Sequence, residues 1–108
     1  MRHLTLAIVI AALAVIAPSL VRAADGAGVY KAQCAKCHGE AGKADTPIAK
    51  ALKVPLLAGD AKIAAAAPAE VVKMVKENPK HVSFITKLSA EDVDAAVAHV
   101  KELAGTKP

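Results

Sequence analysis

The sequence predicts an all-α domain with three main helices and no strands. Apolar residues near the C-terminus recur at the spacing of one helix face, and no segment alternates as a half-buried strand does. Glycine and proline divide the middle of the chain, which favours loops and single helical turns there. The 108 residues have room for one domain.

The N-terminus has the pattern of an export signal. Arg2 supplies a positive start, an apolar run over residues 4–17 follows, and Val21-Arg22-Ala23 offers small residues for cleavage. We therefore expect a signal peptide at residues 1–23, a mature domain at 24–108 and a periplasmic location. The alternative is a retained membrane anchor, but the apolar run is short for a membrane span.

The net charge of the chain does not indicate an anionic partner. Its 14 Lys+Arg and 10 Asp+Glu give +4, and loss of Arg2 and Arg22 with the signal leaves +2. A bias this small does not indicate nucleic acid or an anionic membrane as a partner. The lysines are interpreted as a solvated surface.

The first helix of the mature chain is predicted from about Asp25 to about Cys37, with Asp25 as its N-cap. Residues 39–60 are predicted as mostly loop, because five glycines and prolines interrupt them. Within that loop, residues 48–52 could form a short helical turn.

Two further helical segments are predicted before the C-terminal region. Asp60 is suited to cap an Ala-rich segment at 61–66. Pro68 fits the first turn of a helix that ends near Asn78-Pro79. Residues 80–88 are predicted as loop.

The last helix has the strongest signals. Ser89 and Asp92 resemble a capping box at its start, and Gly105 can end it. Its apolar stripe is formed by Val93, Ala96, Val97, Val100 and Leu103.

Cys34-Ala35-Lys36-Cys37-His38 is the Cys-x-x-Cys-His pattern of covalent c-type haem attachment. Two thiols one helical turn apart can reach the two vinyl groups of a porphyrin, and His38 then lies where it can be the proximal iron ligand. Only two aromatic residues remain after export, Tyr30 and Phe84. A domain of about 85 residues buries a thin core by itself, and one large haem would add apolar bulk.

Residues 25–39 and 88–97 resemble a class I bacterial cytochrome c. Gly26 and Tyr30 have that family's four-residue spacing ahead of the haem motif, and the second segment resembles its last helix. The resemblance implies helices wrapped around one covalent haem, one-electron transfer between redox partner proteins, and no enzymatic activity. A monomer is expected.

The resemblance also implies further haem contacts. Tyr30, Leu57 and Phe84 are expected to pack beside the haem. A proline in this family often lends its carbonyl to the proximal histidine's ring N–H, and Pro47 is a candidate for that role.

The sixth iron ligand departs from the usual family pattern. The family usually supplies a methionine from the loop before the last helix, and this chain has His81 at that place. We therefore predict bis-histidine ligation by His38 and His81. Met74 is the less favoured alternative, since it lies inside a predicted helix, and an open position, water or His99 is also considered.

Three functions are compatible with these observations. The leading interpretation is a soluble periplasmic electron carrier. A second is a haem-based gas-binding or sensing module whose sixth ligand is displaceable. A third, a thiol–disulfide oxidoreductase using Cys34 and Cys37, requires a βαβ context that the sequence does not show.

Overall fold

A computed structural model describes residues 25–108 of the chain, and over this range the fold is helical without strands. The all-α prediction is confirmed. The predicted signal peptide, residues 1–23, lies outside the described residues. No helix in the described part is long and apolar enough to cross a membrane.

Seven α-helices and one 3₁₀ turn follow one another along residues 25–108. They are α1 Gly26–Gln33, α2 Ala35–His38, α3 Pro47–Leu52, α4 Ala61–Ala65, α5 Pro68–Glu77, the 3₁₀ turn Pro79–His81, α6 Val82–Ile85 and α7 Ala90–Ala104.

The first predicted helix is divided at Cys34, which separates α1 from α2. The Cys34 carbonyl accepts hydrogen bonds from the backbone N–H groups of both Cys37 and His38, so the haem motif forms its own tight turn. The predicted Asp25 cap is wrong, because the Asp25 side chain makes no capping hydrogen bond. Its carboxylate instead lies against the backbone of Gly28.

The middle of the chain confirms the predicted Asp60 cap and the predicted helix start at Pro68, and it adds one further cap. The Ile63 N–H donates to Asp60 Oδ1 over 3.0 Å, and Pro68 begins α5. The predicted helical turn at 48–52 is present as α3, which begins one residue earlier. The Thr46 hydroxyl caps α3 by accepting from the Ala49 N–H over 3.0 Å.

The predicted loop at 80–88 is partly wrong, because it contains the end of the 3₁₀ turn and all of α6. Asn78 starts this region by accepting the Lys80 N–H on its side-chain oxygen over 3.0 Å, and Pro79 occupies the first position of the turn. The helical pieces are too short to show an apolar period in the sequence.

The last helix confirms its predicted start, its predicted end and most of its predicted apolar stripe, but Leu103 is only partly buried and the Asp92 side chain does not complete the capping box. Ser89 Oγ accepts the Asp92 N–H over 3.1 Å, and Gly105 is the C-cap. Its buried face consists of Val93, Ala96, Val97, Val100 and Ala104.

Helices α1 and α7 cross at Gly26, where a Cβ atom would collide with the Ala95 carbonyl. One turn later Tyr30 is 1% exposed and packs with Leu57 and Val100. A second core cluster joins α5 to α7 through Val71, Val93 and Val97. The helix crossing and the two core clusters position the helices that surround the haem motif.

The Lys101 side chain links α7 to the end of α4. Its ammonium group donates to the backbone carbonyls of Ile63 over 3.2 Å and Ala64 over 2.9 Å, and also to Ala66. A cation at a helix C-terminus is favoured by the partial negative charge there. This contact holds the Ala-rich segment, which has no buried residue of its own in α4.

Candidate haem site

One cleft connects the haem motif with the segment before α7. Its cavity volume is about 290 Å³, and the cleft is partly open to solvent. Pockets for drug-sized ligands measure roughly 300–1,000 Å³, so the enclosed part of the cleft lies near the lower end of that range. Its wall is mainly apolar and includes Leu52, Val54, Leu57, Ile63, Val71, Val75, Ile85, Leu88, Val97 and Val100.

Cys34, Cys37 and His38 lie together on one side of the cleft. Both cysteines are free thiols of intermediate burial, so the structure forms no disulfide between them. Burial, and secondly the neighbouring Cys37, raise the pKa of Cys34 to about 11. Because neither sulfur is in a disulfide, both are available for thioether bonds.

Both backbone groups of His38 make hydrogen bonds. Its N–H donates to the Cys34 carbonyl over 3.0 Å, and its carbonyl accepts from Ala44 over 2.8 Å. Burial, and secondly the charge of His81, lower the pKa of His38. A lowered pKa favours the neutral imidazole, which is the form that binds metals.

Tyr30 supports the turn after His38 without lining the cleft. Its hydroxyl donates to the Gly39 carbonyl over 2.7 Å in a buried hydrogen bond. Gly39 has a φ of 80°, a conformation that a side chain would strain. Burial, then the charges of Cys34 and Asp45, raise the pKa of Tyr30, so the hydroxyl remains a donor.

His81 faces the same cleft from the 3₁₀ turn. Its Nδ1 lies 2.7 Å from the Val75 carbonyl. Because a carbonyl can only accept, this contact requires a proton on Nδ1, and in the neutral imidazole Nε2 is then the nitrogen with a free lone pair. The Phe84 ring packs 5.4 Å from the His81 ring at 55°, which limits the orientations of the imidazole.

The centres of the His38 and His81 rings are 6.3 Å apart. An imidazole nitrogen bound about 2.0 Å from a metal places its ring centre about 3.2 Å from the metal. Two such rings on opposite sides of one metal ion are therefore about 6.4 Å apart. The observed separation would allow both imidazoles to bind one metal ion.

No group of three or more His, Cys, Asp or Glu side chains gathers at a metal-binding distance in the described part of the chain. Two imidazoles alone are a poor metal site, since metal sites in proteins mostly use three or four protein ligands. The pair suits an iron that arrives with four ligands from a macrocycle.

The family model described as cytochrome c oxidase, cbb3-type, subunit III matches residues 21–100. The chain belongs to this family of class I c-type cytochromes. No curated protein and no solved structure matches the chain significantly.

Cytochromes of this type carry covalently attached haem c. The haem supplies an iron that changes between ferric and ferrous states, which is the basis of one-electron transfer. In this cytochrome, the side chains that could hold it are the thiols of Cys34 and Cys37 and the imidazoles of His38 and His81. The apolar wall of the cleft would keep water from the porphyrin faces.

The other residues predicted to contact the haem fall into two groups, those that line the cleft and those that do not. Leu57, Phe84 and Met74 line the cleft, and Met74 is 45% exposed. Tyr30 and Pro47 lie outside the cleft wall. The hydrogen bond expected from Pro47 to His38 is not formed, because His38 Nδ1 is buried without a hydrogen-bond partner among the described residues. Pro47 instead begins α3.

Two supporting groups were not predicted from the sequence, and only one of them carried a signal there. The Val75 carbonyl is a backbone atom, so residue type gives no indication that it orients His81. Thr46 could have been recognised, since a threonine directly before a proline is typical of a helix start.

Proposed function

We propose that this cytochrome is a periplasmic monohaem electron carrier whose iron is bound by His38 and His81. Cys34 and Cys37 provide the thioether bonds, and the protein passes single electrons between redox partner proteins. The observation that carries the proposal is the 6.3 Å separation of the two imidazole rings across the cleft.

The environment of His81 supports its role as the distal ligand. The Val75 carbonyl holds Nδ1 and thereby sets the tautomer in which Nε2 can bind a metal, as in other histidine ligands. Met74 lines the same cleft but is fixed within α5. With imidazoles on both sides, the iron has no open position for a substrate, which favours electron transfer over catalysis.

The ligand assignment is tested by absorption and magnetic-resonance spectroscopy of the haem-loaded protein in both oxidation states. We expect low-spin ferric iron without the near-infrared band of a methionine ligand. His81→Ala should lose low-spin character and bind carbon monoxide rapidly when reduced, whereas Met74→Leu should retain the wild-type spectrum.

The opposite result would identify Met74 as the ligand. A near-infrared methionine band that persists in His81→Ala and disappears in Met74→Leu would remove His81 from the proposal. Rapid carbon monoxide binding to the reduced wild-type protein would favour the gas-binding alternative.

The proposed compartment has a separate test. Expression of the full chain in a bacterium with a haem c maturation system should yield a haem-stained protein in the periplasmic fraction. N-terminal sequencing should show cleavage after Ala23 or Ala24. A protein that keeps residues 1–23 and sediments with membranes would indicate a retained anchor.

A further inference from the structure

Lys53 and Lys80 are the only lysines that line the cleft, and no arginine or carboxylate from the described residues joins them. Lys53 follows α3, whereas Lys80 lies in the 3₁₀ turn directly before His81. The two cations therefore reach the cleft from separate segments of the chain. Two lysines without a carboxylate make the lining of the cleft electrostatically suited to an anionic ligand edge.

The backbone of Lys53 adds an independent observation. Lys53 ends α3 with φ 54° and ψ 47°, which is the left-handed conformation. Ala44 is the only other non-glycine residue with positive φ in the described chain. Glycine is the usual residue at this position after a helix, because a side chain is strained there. Strained residues of this kind cluster at functional and ligand sites.

We propose that Lys53, together with Lys80, binds the propionate carboxylates of the haem. The inference rests on the proposed function, since it requires haem in this cleft. A haem is apolar over most of its surface and carries two carboxylates at one edge, which matches an apolar wall with two cations. The positive charge of Lys53 also favours the reduced haem, because reduction adds one negative charge to the site.

The test measures the reduction potential of the haem-loaded full chain. Lys53→Gln should lower the potential, and Lys53→Arg should keep it near the wild-type value. Lys50→Gln is the matched control, since it removes the same charge from α3 at a side chain that does not line the cleft. It should leave the potential unchanged.

Two further measurements separate a haem contact from a purely structural role. Lys53→Gly should raise the unfolding midpoint, because glycine relieves the left-handed strain, and should still lower the potential. Nuclear magnetic resonance of the reduced protein should show close contacts between the Lys53 methylene protons and the propionate methylenes.

Several outcomes would overturn the inference. Equal potential shifts in Lys53→Gln and Lys50→Gln would show a general charge effect, and absence of the propionate contacts would show that Lys53 points elsewhere. Slower electron transfer to an anionic partner at an unchanged potential would assign the lysine to partner docking. A pyridine haemochrome assay without haem c would overturn the proposed function itself, whereas haem with no effect of Lys53 would overturn only this inference.

Discussion

Individual atoms around the two imidazoles decide how this cytochrome can hold iron. The Val75 carbonyl fixes His81, the Cys34 and Ala44 backbone groups fix the segment at His38, and Tyr30 holds the Gly39 carbonyl. That the motif residues and His81 bind the cofactor stays a prediction, but they could be named as candidates from their types and order. The supporting backbone carbonyls could not, because every residue has one.

His81→Met is expected to raise the reduction potential of the haem-loaded protein. A methionine and histidine pair gives haem iron a higher potential than two imidazoles. Potentiometric titration should show the increase, and the oxidised protein should gain the near-infrared band of a methionine ligand. An unchanged potential and spectrum would mean that the side chain at 81 does not bind the iron.

Tyr30→Phe is expected to lower the free energy of unfolding by about 1 kcal/mol, the usual net value of one neutral hydrogen bond. The ring should remain packed, and the Gly39 carbonyl keeps its bond from the Gly42 N–H at 3.1 Å. Denaturant unfolding of the haem-loaded protein measures the loss. Thr86→Val is the control, because its hydroxyl bond to Val82 is exposed and should contribute less.

Helix packing against α7 positions both the haem motif and the 3₁₀ turn that contains His81. The α1–α7 crossing supports the motif, while the α5–α7 cluster supports the segment that leads to His81. The stripe of α7 and its cap could be predicted because a helix of 15 residues shows several apolar periods. The division at Cys34 and the short α6 could not, since four-residue helices show no period.

Gly26→Ala is expected to be destabilising by roughly 1–3 kcal/mol, as for other overpacked sites. The new methyl group would collide with the Ala95 backbone, which can move only if the helices separate. Gly28→Ala is the matched control within α1. There the methyl group meets only the exposed Asp25 carboxylate, which can rotate away. Because alanine favours helix more than glycine does, the Gly28→Ala protein should keep or gain stability. Thermal unfolding of both variants measures the two effects. Equal decreases in the unfolding midpoint would contradict the close contact of α1 and α7 at Gly26.

The molecule as a whole has a core divided into two small clusters around a cleft. Its largest fully buried side chains are Tyr30, Val71 and Val97, so the protein itself supplies little apolar bulk. The short mature chain and its two aromatic residues indicated that a large buried group would add apolar bulk, but composition alone could not show where the cleft lies. That position depends on how α1 and α5 each pack against α7.

Cys34→Ser combined with Cys37→Ser is expected to abolish covalent haem attachment and to lower the unfolding midpoint of the purified chain. The change is small at the two side chains, so most of the loss reflects haem that no longer fills the cleft. Haem staining after denaturing electrophoresis and thermal unfolding check the two effects. A double variant that keeps the wild-type midpoint would show that the two clusters are sufficient for stability.

The two histidines that face each other across the cleft lie far apart in the chain, on either side of about 40 residues. A metal bound by both acts as a cross-link, and closing a loop of that length restricts an unfolded chain by about 4 kcal/mol in the chain-entropy model. In the proposed bis-histidine form the thioethers would keep the haem attached at one side, so loss of the His81 bond would open this loop without releasing the cofactor. That one bond would then set both the electronic properties of the iron and the topology of the unfolding chain.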